Sequence, residues 1–102
     1  MVEKLGICVA TRDNMSHVIG LAKAAKRAGK LTEIFFTGDG VHLTQDARFS
    51  ELIEAARVGV CEVSYIACGY KNKAVPGLVD KDFVTQMRNA EMVEKCDRYL
   101  IL

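Results

Sequence analysis

The run Leu31-Thr32-Glu33-Ile34-Phe35-Phe36-Thr37, closed by Gly38-Asp39-Gly40, decides how this chain folds. Its apolar residues are contiguous and do not alternate, as in a strand covered on both faces, and the glycine-rich turn stops it. Toward the amino terminus, Lys4 to Ala10 (Lys-Leu-Gly-Ile-Cys-Val-Ala) is a second run of the same kind. Between them Met15, Val18, Ile19, Ala22 and Ala25 recur at helical spacing, Lys23, Lys26 and Arg27 largely face elsewhere, and Gly29 stands at the exit. A helix joining two buried strands is the crossover of a parallel sheet.

The remainder continues the alternation. Over 45–58, Phe49, Leu52, Ile53 and Ala56 follow an i, i+3, i+4, i+7 pattern before Gly59, which predicts a second helix. Cys61 to Cys68 is expected as the third strand, followed by a polar loop over 69–77 that holds Pro76. A third helix is expected from Asp82 to Lys95, with Phe83, Met87, Ala90 and Val93 on one side, and Tyr99 to Leu102 as a last strand. With 102 residues, half of them hydrophobic, the chain holds one core. The expected fold class is therefore α/β, a three-layer α/β/α arrangement around a four-stranded, mainly parallel sheet with flavodoxin-like layering, in one domain over 1–102.

Composition narrows the function. Fourteen Lys plus Arg against thirteen Asp plus Glu leave a net charge of +1, too near neutral for wrapping nucleic acid or lying on an anionic membrane. No apolar run approaches the roughly 20 residues that span a bilayer. The start Met1-Val2-Glu3-Lys4-Leu5 has no basic region followed by a long apolar stretch, so the expectation is a cytoplasmic chain with reduced thiols. Cysteines at 8, 61, 68 and 96 form no C-x-x-C pair, and His17 and His42 are not at zinc-finger spacing from them; no metal is expected.

In such folds ligands bind where loops leave the carboxyl ends of the strands. That edge should gather Asn14 after the first strand, Gly38, Asp39, Gly40 and His42 after the second, and Cys68, Gly69, Lys71 and Lys73 after the third. Cys8, mid-strand, reads as a small packing group, and Cys96 belongs to a helix end. A strand from Cys61 to Cys68 would place Cys61 at the far edge, about 23 Å from Cys68. Cys68 is thereby singled out, beside a glycine and near two lysines that favour its thiolate, with His42 available to stabilise that thiolate. A dinucleotide site is not expected, because the turn after the first strand contains no glycine and Gly38-Asp39-Gly40-Val41-His42-Leu43 lacks the third glycine of the fingerprint.

The stretch Ile34-Phe35-Phe36-Thr37-Gly38-Asp39-Gly40-Val41-His42-Leu43, the cysteine placed at the end of the third strand, and the final Cys96-Asp97-Arg98-Tyr99-Leu100-Ile101-Leu102 resemble the DsrE/DsrF-like sulfur-handling family. The resemblance implies a cytoplasmic α/β protein that assembles into homotrimers or hexamers. It also implies that Cys68 carries sulfur as a persulfide between donor and acceptor proteins, with no cofactor. A different class of reading is a scaffolding subunit whose edge pocket, with Cys68 as a lining residue, holds a small anion or metabolite. A redox sensor would need a resolving cysteine, and Cys61 offers none within one strand.

Overall fold

The computed structural model describes residues 3–102; Met1 and Val2, where the stretch read as lacking a leader begins, lie outside the described residues. The chain runs β1 (Lys4–Val9), α1 (Met15–Arg27), β2 (Leu31–Phe36), a 3-10 helix (Gly38–Gln45), α2 (Phe49–Ala55), β3 (Arg57–Cys61) and α3 (Glu62–Ala67). A short 3-10 turn (Asp80–Asp82), β4 (Phe83–Val84), α4 (Gln86–Lys95) and β5 (Arg98–Ile101) complete it. The five strands form one sheet in the order β4-β3-β2-β1-β5, and every pairing is parallel.

The α/β class is as expected, but the sheet has five strands where four were expected. Phe83 and Val84, read as the start of the last helix, pair with Val60 and Cys61 as the fourth strand, and the helix begins only at Gln86. Thr85 marks that boundary: its hydroxyl accepts a hydrogen bond from the Met87 N–H and caps α4.

The larger correction concerns the third strand. The strand is Arg57–Cys61, and most of the stretch expected to be extended, Glu62–Ala67, is helix α3. Val58, Gly59, Val60 and Cys61 are the buried run and pair with β2 from Glu33↔Arg57 to Phe36↔Val60. In α3 only Tyr65 is buried, and Val63 and Ile66 face solvent, so β-favouring residue types there gain no sheet to pack on. The second helix is correspondingly shorter than 45–58, because Gln45 ends the 3-10 helix and Arg57 already belongs to β3.

Alternation along the strands divides the core between two faces. Ile7, Val9, Ile34, Phe36, Val58 and Val60 pack with Met15, Val18, Ala22, Phe49 and Leu52 of α1 and α2, while Cys8, Phe35 and Cys61 meet Met92 of α4 on the other side. Helices therefore cover both faces, as the right-handed crossover rule requires when the chain steps one way from β1 to β4 and then jumps back to β5. No helix among the described residues is long and apolar enough to cross a membrane.

Candidate functional site

The carboxyl ends of β2 and β3 are adjacent, so the segments leaving them must meet. Gly40 makes the approach close: a Cβ built there would lie 2.0 Å from the Val9 carbonyl oxygen, so only glycine lets the 3-10 helix sit on the end of β1. The helix then presents Asp39 and His42 three residues apart, on one side of a turn.

Cys68 arrives from the other direction. It is the C-cap of α3, and Gly69 takes φ +90° immediately after it. The Gly69 N–H donates to the Ile66 carbonyl and the Tyr70 N–H to the Tyr65 carbonyl, the two bonds of a Schellman ending. This ending returns Tyr70 toward the 3-10 helix, where its hydroxyl shares a 2.7 Å hydrogen bond with His42 Nδ1 and its ring meets the imidazole edge-on. One ligating atom each from Asp39, His42 and Cys68 lie within 4.8 Å of one another. The Cys68 thiol donates a long hydrogen bond of 3.9 Å to the Gly38 carbonyl, and the residue is half-buried.

The structure thus brings together Cys68, His42, Asp39, Gly38 and Gly69, with Gly40 beneath them. Asn14 is the N-cap of α1 at the end of β1, and its side chain donates to the Thr11 hydroxyl. Lys71 and Lys73 are exposed and line a groove of about 500 Å³ with Tyr65, Asp80 and Phe83, which Cys68 does not line. The Lys73 ammonium lies 5.6 Å from the centre of the Tyr70 ring.

Cys61 is a site residue that the misplaced third strand concealed. It ends β3 on the same carboxyl edge, reversing the expected far-edge placement, and only the short helix α3 separates it from Cys68. At about 1.5 Å per residue that is roughly 10 Å along the axis, less than half the extended estimate. Gln86 Nε2 donates to Cys61 Sγ at 3.5 Å and to Thr37 Oγ1 at 2.9 Å, and the Gly38 N–H donates to Ser64 Oγ at 3.0 Å. Burial pushes the Cys61 thiol up, but hydrogen bonds from Ser64, Gln86 and Thr37 outweigh it and leave the pKa below the ordinary thiol value. By contrast, burial raises the thiols of Cys8 and Cys96, with the Glu33 charge adding to the effect at Cys96. The signal available in the sequence was the buried run Val58-Gly59-Val60-Cys61 directly after the second helix; Gln86, Thr37, Ser64 and Tyr70 carried none.

No family model matches this chain, and no curated protein matches it.

Proposed function

We propose that this protein is a thiol-based sulfur carrier of the DsrE/DsrF-like kind, acting in the cytoplasm between a donor and an acceptor protein. The observation that carries the reading is the half-buried Cys68 thiol with an imidazole and a carboxylate within 4.8 Å, at the carboxyl edge of a parallel sheet. His42 accepts the Cys68 proton, and the thiolate attacks the outer sulfur of a donor persulfide R–S–SH. The donor S–S bond breaks as the new one forms, giving Cys68–S–SH, and the proton goes to the departing thiolate to give R–SH. The same exchange with an acceptor thiol empties the carrier. Tyr70 is a positioning residue that holds the imidazole through Nδ1.

The reading includes assembly into trimers or hexamers. In support, β5 is an edge strand with Leu100 and Ile101 exposed, apolar material of the kind that a neighbouring copy covers. A second assignment of the same chemistry places the persulfide on Cys61, favoured by its position at the same carboxyl edge and by the hydrogen bonds that lower its thiol pKa, although the residue is buried.

The test is intact-protein mass spectrometry of the reduced chain after treatment with a low-molecular-weight persulfide, followed by peptide mapping. The wild type gains the mass of one sulfur atom on Cys68, and Cys68→Ser does not. Sulfur retained in Cys68→Ser and lost in Cys61→Ser moves the carrier to Cys61. No added sulfur on either thiol ends the carrier reading and leaves the scaffolding subunit, with the groove lined by Lys71 and Lys73 as its anion pocket.

A further inference from the structure

We infer that Asp39, His42 and Cys68 form a binding site for a zinc-type divalent transition-metal ion, with an open fourth position. The three residues supply a carboxylate oxygen, an imidazole nitrogen and a thiolate sulfur, a donor set that suits borderline-soft cations and not magnesium or calcium. A thiolate and a carboxylate together also balance the charge of a divalent ion.

Geometry supports the assignment. A tetrahedral ion with bonds of about 2.0–2.3 Å holds its ligands about 3.3–3.7 Å apart. The three atoms already lie within 4.8 Å of one another, so closing the site requires side-chain movements of about 1 Å. Asp39 is exposed and free to make that movement, while the Cys68 thiol gives up only its 3.9 Å bond to the Gly38 carbonyl. The Tyr70 hydroxyl prepares His42 for ligation: its 2.7 Å hydrogen bond to Nδ1 is the kind of outer contact that fixes ring orientation in metal sites, and it leaves Nε2 for the ion. No spacing motif announces the site, because two ligands come from a 3-10 helix and the third from the cap of α3. The site stands whether or not Cys68 also carries sulfur, and an ion bound there withholds the thiol from any electrophile.

The experiment is titration of the reduced full chain with cobalt(II) as a spectroscopic stand-in, with no sulfur donor present. One equivalent is expected to produce a thiolate-to-cobalt charge-transfer band with intense tetrahedral visible bands, which zinc then bleaches. Cys68→Ser and His42→Ala abolish the charge-transfer or tetrahedral signature, Cys61→Ser keeps both, and Tyr70→Phe weakens binding by about 10–100-fold. A second readout needs no variant: saturating zinc slows alkylation of Cys68 in the wild type at least tenfold. Absence of the charge-transfer band, its persistence in Cys68→Ser, or unchanged alkylation of Cys68 under zinc overturns the site. Because none of these arms uses a persulfide, their failure is separate from failure of the sulfur-carrier reading.

Discussion

Replacing Gly40 with alanine tests how the site is built, and Gly20→Ala is its control. At Gly40 the new methyl would meet the Val9 carbonyl oxygen at 2.0 Å and its carbon at 2.7 Å, both backbone atoms that no rotamer change can move. The same oxygen accepts the Thr37 N–H at 3.0 Å, so relieving the clash by about 1 Å also lengthens the bond that ties the 3-10 helix to β1. Val9 and Val41 are fully buried, leaving no slack to either side. Overpacking of this kind costs about 1–3 kcal/mol, and the weakened hydrogen bond about 1 kcal/mol more. The expected loss is therefore about 2–4 kcal/mol, a large share of the stability of a domain this size. Gly20 lies in α1 with nothing within 4 Å of a built Cβ, so alanine there should gain about 0.5–1 kcal/mol from helix propensity alone. Urea unfolding followed by circular dichroism reads both, and in a thermal scan, at about 4–8 °C per kcal/mol, the Gly40→Ala chain should melt at least about 8 °C lower. Since Asp39 and His42 flank the substituted position, its native fraction should also show slower alkylation of Cys68. A Gly40→Ala midpoint within about 0.5 kcal/mol of wild type would refute the close-approach argument.

Two further predictions concern stability. Burial raises the phenol pKa values of Tyr65 and Tyr99, so the folded state keeps those protons longer than the unfolded chain; the stabilisation is whole below about pH 10 and is lost as pH climbs through the raised values. Denaturant midpoints should fall on that alkaline limb, and Tyr65→Phe, though it gives up the hydrogen bond to the Lys73 carbonyl, should make the limb shallower; an unchanged slope contradicts the assignment. Thr32 is buried in β2, and among the described residues its hydroxyl finds no hydrogen-bond partner. Thr32→Val, nearly identical in shape, should therefore raise stability by about 1 kcal/mol in the same urea assay, and a loss of stability would show that the hydroxyl is satisfied.

The sequence alone determined the α/β class, because contiguous apolar runs at Lys4–Val9 and Leu31–Phe36 around an amphipathic helix have few other ways to bury both strand faces. It also placed Asp39 and His42 at the carboxyl edge, since they directly follow the second strand; Cys68 was expected there as the end of a strand that in fact stops at Cys61, and it reaches the edge through α3 instead. Tertiary structure decided what short apolar runs leave ambiguous. Glu62–Ala67 has the residue types of a strand, but the strand position beside β2 is already taken by Arg57–Cys61, and the chain beyond it closes into a helix whose glycine cap sets Cys68 in place. Phe83 and Val84 become a strand only because the edge of β3 is open to them. The environment of Cys61 is of mixed origin: Ser64, which contributes most to lowering its pKa, lies three residues on in the helix that Cys61 caps, whereas Gln86 and Thr37 belong to distant segments that only packing brings to the thiol.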